Sequence, residues 1–108
     1  MRYGSRLYML GIVYLLLAPT AFAGEISPDC TFRGVPLYGK VKVVDVFADF
    51  NVEIVDALCD LDVKFVDALP NQCGEWEFVD TFEDFSVKFV NVFGDFSICN
   101  VDALPGLR

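Results

Sequence analysis

The regularly spaced aspartates are the residues that could form a functional site in this 108-residue chain. Aspartates recur four residues apart along residues 39–106, and the candidate calcium ligands among them are Asp45, Asp49, Asp56, Asp60, Asp80 and Asp84. Calcium prefers carboxylate and carbonyl oxygens. The alternative is that each aspartate caps the turn by hydrogen bonding to its own backbone. We favour capping, because these segments lack the glycine-rich nonapeptide pattern of calcium-binding rolls.

The residue types needed for nucleophilic catalysis are missing. The chain has no histidine, so neither a Ser–His nor a Cys–His pair can form. Its eight glycines are scattered and make no phosphate-binding loop. Paired carboxylates can cleave glycosides, but sixteen acidic residues bring some pair together by chance. We therefore predict that the protein is not an enzyme and has no catalytic residues.

The four cysteines are Cys30, Cys59, Cys73 and Cys99. An even number in a short exported chain predicts two disulfides, and four cysteines allow three pairings. Zinc is disfavoured because there is neither histidine nor a C-x-x-C pair. The pairing stays open, although Cys30 is the natural partner of Cys99 because that bond would tie the two ends together. That pairing leaves Cys59 and Cys73, which antiparallel strands would hold too far apart to bond.

The N-terminus predicts export. Two arginines precede an apolar run over residues 7–18, and an Ala-Phe-Ala site ends at Ala23. This arrangement is typical of a secretory signal peptide over residues 1–23. The run is shorter than the roughly 20 residues of a membrane-spanning helix. Gly24, and not a cysteine, directly follows the site, so a lipoprotein anchor is not indicated. We expect a periplasmic or secreted protein without a membrane span once the signal is removed.

The charge excludes several kinds of partner. Without residues 1–23 the chain keeps six basic residues against all sixteen acidic ones, a net charge of −10. Nucleic acids and anionic membranes are polyanions that require lysine and arginine, so neither is expected to bind. The charge is compatible with a solvated surface, with cation binding or with a basic partner.

Residues 39–106 repeat with a period of eleven. The six units are 39–49, 50–60, 61–71, 74–84, 85–95 and 96–106. Gln72-Cys73 is the single interruption. Position three is apolar in every unit and position five in five of them, whereas positions two and four are mostly polar. This alternation of β-branched and aromatic residues is typical of strands with one buried face. Position nine is always Phe or Leu, and we interpret it as an apolar plug that points inward at a corner.

The pattern predicts an all-β fold, and the arrangement of its six strands stays open. An antiparallel meander brings consecutive units together, so the alternating Lys and Glu residues at position four would attract each other. A small β-solenoid with two units per coil is the alternative, and it would stack Lys42, Lys64 and Lys88 in one column. We favour the meander. The predicted organisation is a signal peptide (1–23), an N-terminal segment (24–38) and a repeat domain (39–106).

The stretch CGEWEFVDTFEDFSVKFV, residues 73–90, resembles small exported bacterial proteins built from tandem V-x-S-F-P-D-like units. The resemblance covers residues 39–106, with Asp in place of Ser and with proline kept only at Pro70 and Pro105. It implies β-repeat architecture and export. It carries over no catalytic residues, because the group has no assigned activity.

Together these observations favour an exported, non-enzymatic protein with a structural or protein-interaction role in the cell envelope or outside the cell. Apolar residues on both faces of the sheet would be covered by a protein partner or by self-association. Trp76 is a candidate contact residue, although position three equally suits the core. The alternatives are a calcium-dependent repeat module, or a secreted inhibitor or effector that acts through residues 72–74 or 24–38. No cofactor is expected apart from calcium in the first alternative.

Overall fold

The computed structural model describes residues 25–108, so the predicted signal peptide lies outside the described residues. A small hairpin comes first, formed by β1 (Thr31–Phe32) and β2 (Val35–Pro36). The main strands are β3 (Gly39–Val43), β4 (Phe50–Ile54), β5 (Leu61–Phe65), β6 (Glu75–Phe78), β7 (Phe85–Phe89) and β8 (Phe96–Asn100). A short β9 (Gly106–Leu107) ends the chain. The all-β prediction is confirmed.

Six of these strands form a closed, parallel barrel. Their order is β8-β4-β7-β3-β6-β5, and β5 pairs with β8 to complete the circle. All six neighbouring pairs are parallel. β9 adds to β5 in the antiparallel sense. The predicted antiparallel meander is therefore wrong, and so is the solenoid alternative, because this sheet closes on itself.

A constant stagger explains how short connections can join parallel strands. In each pair, one strand is displaced by two residues against the next, so that Phe96 lies opposite Val52 and Phe50 opposite Val87. With about 3.3 Å per residue and about 4.8 Å between strands, this stagger tilts the strands by roughly 55° from the barrel axis. A five-residue strand then climbs only roughly 8 Å along that axis. A short corner can cover this distance, and no crossover helix is needed.

The same stagger shows why the charge argument for a meander failed. Position four of one strand lies opposite position two of its neighbour. Lys64 therefore faces Glu75, and Glu77 faces Lys40. The charge argument for a meander compares the position-four residue of one unit with the position-four residue of the next unit. Those residues are not cross-strand partners in this barrel.

The two-residue interruption coincides with a change in the winding of the chain. Most units advance by two strand positions around the barrel, which places β3, β4 and β5 at alternate positions. A third step of the same size would return to the position of β3. The connection that contains Gln72 and Cys73 instead joins direct neighbours, β5 and β6. As a result, β6, β7 and β8 fill the gaps between the first three strands.

The core lies inside the barrel and is closed at one end by the N-terminal segment. The six position-three side chains are fully buried: Val41, Val52, Val63, Trp76, Val87 and Ile98. Large position-one residues form the next layer towards the N-terminal ends of the strands. Phe32 covers that layer, with its ring 5.5 Å from Phe50 and 5.3 Å from Phe96. The apolar interior is thereby sealed from water at this end.

Two disulfides connect Cys30 with Cys73 and Cys59 with Cys99. The prediction of two disulfides is confirmed, and Cys59 and Cys73 are not bonded to each other, but the suggested Cys30–Cys99 bond is wrong. Cys99 lies opposite Asp62 of β5, which brings it near Cys59 just before that strand. Disulfides are compatible with an oxidising, exported location. Within residues 25–108, no helix has the length and apolar character that crossing a bilayer requires.

Phe32→Ala should lower the free energy of unfolding by about 3–5 kcal/mol, because it removes a buried aromatic ring that closes the core. The matched control is Phe47→Ala, which removes the same atoms from a residue that is almost fully exposed and should change stability by less than about 0.5 kcal/mol. Denaturant unfolding of both variants provides the measurement. Equal losses would show that the N-terminal segment does not cap the barrel.

Candidate interaction surface

Six large apolar side chains project from the corners that connect the units. They are the position-nine residues Phe47, Leu58, Leu69, Phe82, Phe93 and Leu104, each between 81% and 98% exposed. We call these six side chains the corner surface. Since equivalent corners follow the six barrel strands, the corner surface is distributed around the barrel. The prediction that position nine points inward is wrong.

Backbone conformation explains this reversal. Every position-nine residue has a φ between 56° and 59°, which is the left-handed region. The strand ladder continues to position six, where for example the Val44 N–H donates to the Val87 carbonyl at 2.9 Å. The chain then reverses, and the left-handed residue breaks the in-out alternation. Extending the in-out alternation of the strand as far as position nine therefore predicts the wrong orientation for that side chain.

The corner surface stabilises neither the backbone nor the core. A left-handed conformation costs roughly 1–2 kcal/mol for a residue with a Cβ atom, whereas Gly, Asn and Asp adopt it more easily. A side chain exposed to this degree buries almost no apolar area that could offset the cost. Stability alone would therefore favour Gly or Asn at position nine. Phe or Leu nevertheless occurs in all six corners, which points to contacts with another molecule.

The position-eleven aspartates have a structural role. The Asp49 carboxylate accepts hydrogen bonds from the Ser86 N–H at 2.8 Å and from its hydroxyl at 3.2 Å. In return, the Asp49 N–H donates to the Ser86 hydroxyl at 3.0 Å. Three further position-eleven carboxylates accept from a position-two N–H, in the pairs Asp60–Ser97, Asp84–Lys40 and Asp95–Asn51. Each aspartate thus caps a backbone group of a neighbouring strand.

The candidate calcium ligands do not assemble into a site. Asp45, Asp56 and Asp80, at position seven, are exposed, and their position-eleven counterparts are the caps just described. Within the described part of the chain, the one group of three metal-ligating residues is Cys59, Asp62 and Cys99. Its two cysteines are joined in a disulfide. The Arg108 guanidinium also lies 3.1 Å from the Asp62 carboxylate, where a cation would otherwise bind.

Trp76 belongs to the core and not to the surface. It is fully buried, its indole N–H donates to the Leu37 carbonyl at 3.1 Å, and its ring meets Phe85 edge-on at 5.6 Å. The two segments considered for an inhibitory loop are cross-linked to each other through Cys30–Cys73. Sequence reasoning selected the tryptophan and missed the corner surface, although position nine was invariably Phe or Leu.

The end of the barrel opposite the N-terminal cap is partly open. Position-five side chains lie there, and Val43, Ile54, Phe65 and Phe78 are 38–53% exposed. The Phe65 and Phe78 rings contact each other in a tilted arrangement, with their centroids 4.8 Å apart. Apolar surface therefore continues from the corners onto one end of the molecule.

Comparison with known proteins identifies the domain but no activity. A family model described as the 7(1) septoil knot domain matches residues 34–108. An uncharacterized protein of the cyanobacterium Synechocystis sp. is 69% identical over 48 residues, which cover 44% of this chain and 43% of that protein. The match thus spans less than half of this relative. The resemblance to tandem V-x-S-F-P-D-like repeat proteins stays a prediction.

Phe47→Asn should raise the free energy of unfolding by about 0.5–1 kcal/mol, since Asn adopts the left-handed region at lower cost. The control is Val46→Asn, at the adjacent exposed position outside that region, where no gain is expected. Urea unfolding of the two variants gives both values. A loss of stability on Phe47→Asn would mean that this ring makes stabilising contacts within the fold.

Asp49→Ala should cost about 1.5–3 kcal/mol, because the buried Ser86 N–H loses a charged acceptor. Asp45→Ala removes an exposed carboxylate and should have little effect.

Thermal unfolding in calcium and in chelator should give the same melting temperature for the unmodified protein. Calcium at a hundred times its dissociation constant would add about 2.7 kcal/mol, so a site among these aspartates would be visible as a large shift.

Proposed function

The chain belongs to the 7(1) septoil knot domain family, and we propose that it is an exported, non-enzymatic protein-interaction module that acts in the cell envelope or outside the cell. Its contact surface is the corner surface. The observation that carries this proposal is the exposure of a large apolar side chain in a left-handed conformation at all six corners.

The interior of the domain does not require these side chains. Position-three residues fill the barrel and Phe32 covers one end, while the two disulfides tie one connection to the N-terminal segment and another to β8. Phe and Leu at the corners are therefore available to insert into apolar pockets of another protein. Buried aromatic and aliphatic anchors of this kind dominate the binding energy of protein interfaces.

The distribution of the corners also suits a protein partner. One anchor per unit gives several equivalent contacts around the barrel, and an extended partner can engage more than one of them. Each additional contact then forms at a high effective concentration, so weak individual contacts add up to stable binding.

Export and the lack of enzymatic activity have separate support. The predicted signal peptide and the two disulfides agree with an oxidising compartment. The absence of histidine from the chain removes the usual bases for nucleophilic catalysis.

Site-specific photocrosslinking in the native host tests the proposal. The photoreactive residue p-benzoylphenylalanine replaces Phe47, Phe82 or Phe93, each of which it resembles in shape. Matched controls carry it at Lys40 and Lys88, which are exposed on barrel strands. We expect discrete adducts with another protein from the three corner positions, in the exported fraction, and none from the two strand positions.

The proposal fails if corner and strand positions give the same adducts, or if the corners give none. Recovery of the protein only from the cytoplasm, with its signal peptide attached, would contradict export.

A further inference from the structure

The acidic charge of the protein is concentrated in the same segments as the corner surface. The connections after β3 to β8 contain no lysine or arginine, and their acidic residues are Asp45, Asp49, Asp56, Asp60, Asp67, Asp80, Glu83, Asp84, Asp95 and Asp102. The six barrel strands carry four basic residues, Lys40, Lys42, Lys64 and Lys88, and four acidic ones, Glu53, Asp62, Glu75 and Glu77. The strands are therefore neutral, and ten negative charges surround the six exposed apolar side chains.

Little of this corner charge is neutralised within the protein. Among residues 25–108 the ion pairs are Arg33–Asp95 and Arg108–Asp62, and only the first involves a corner carboxylate. At a typical corner, Asp45 precedes Phe47 by two residues and Asp49 follows it by two. Any surface that receives the Phe47 ring must approach these carboxylates.

This arrangement disfavours a second copy of the chain as the partner. Contact between two corner surfaces would bring like charges together, and like-charge juxtaposition at an interface costs several kcal/mol. Anionic bilayers and nucleic acids are disfavoured for the same reason.

We infer that the corner surface binds a cationic protein surface, in which lysine and arginine side chains surround apolar pockets. This inference rests on the proposed function and specifies its partner. The Phe and Leu side chains contribute affinity because they are buried, away from water, at the interface. The carboxylates accelerate association and select against acidic competitors.

The test uses an envelope extract and the chain with p-benzoylphenylalanine at Phe93. A charge variant adds Asp45→Asn and Asp56→Asn, two exposed carboxylates that cap nothing within the described chain. Its control adds Asp29→Asn and Glu77→Gln, which remove the same charge from the N-terminal segment and from a barrel strand. Two competitor peptides complete the design: an amphipathic helix of leucine and lysine, and the same helix with glutamate in place of lysine.

We expect the charge variant to lower the adduct yield by about tenfold at low salt, and the control pair to leave it unchanged. The leucine–lysine peptide should abolish the adduct, whereas the leucine–glutamate peptide should not. Adducts that persist in the charge variant, or that both peptides displace equally, would overturn the cationic partner while leaving the interaction role intact. An adduct between two copies of this chain would also overturn it. If the chain with p-benzoylphenylalanine at Phe93 gives no adduct when it carries no charge substitution and meets no competitor peptide, the proposed function itself is refuted.

Discussion

The two-residue stagger between neighbouring strands is the constraint on which the rest of this structure depends. It repeats at all six pairs, and together they give the barrel a shear of twelve. The resulting tilt lets the chain run mostly around the axis, so that successive strands all point the same way. Parallel neighbours ordinarily require a crossover of a dozen or more residues. Here neighbours are mostly not consecutive in the chain, and a six-residue corner suffices.

The stagger also explains why different positions within each unit have different structural roles. Positions one and three fill the barrel, and in four units the position-two N–H is capped by an aspartate that precedes a neighbouring strand. Because these caps link strands that are distant in the chain, Asp and Ser residues hold the circle together at its edge. Each disulfide fixes one connection, through Cys59 or through Cys73. Cys73 lies in the interruption that shifts the winding by one position, and its bond to Cys30 attaches the N-terminal segment over the core.

The corners are the part of each unit that the barrel does not need for packing. Their left-handed residues reverse the chain, and only the backbone conformation matters for that task. The side chains at those positions are therefore free to be chosen for binding. Both the exposed apolar groups and ten carboxylates are concentrated there, which leaves the strands neutral, and under the proposed function a partner would reach both at the same surface. This separation allows the surface to change without disturbing the core.

The sequence by itself determined the strands and their inward faces. Val52 and Ile54, flanked by Asn51 and Glu53, already specify a strand with one apolar side, because alternation is a local property of extended backbone. The even number of cysteines likewise determined that two disulfides form. The local pattern predicted that Asp49 and its equivalents cap their own turns, whereas they cap N–H groups of strands that lie 37 or 44 residues away in the chain.

Only the tertiary structure decided which strands are neighbours. Six similar units offer many pairings of nearly equal local quality, and closure of the barrel selects one of them by burying every position-three side chain at once. The same closure brought Cys59 to Cys99. It also placed Phe47 in solvent and Trp76 in the core. Neither location follows from hydrophobicity, since both residues are large and aromatic. What separates them is the left-handed φ at position nine, which arises where the chain must turn back to start the next strand.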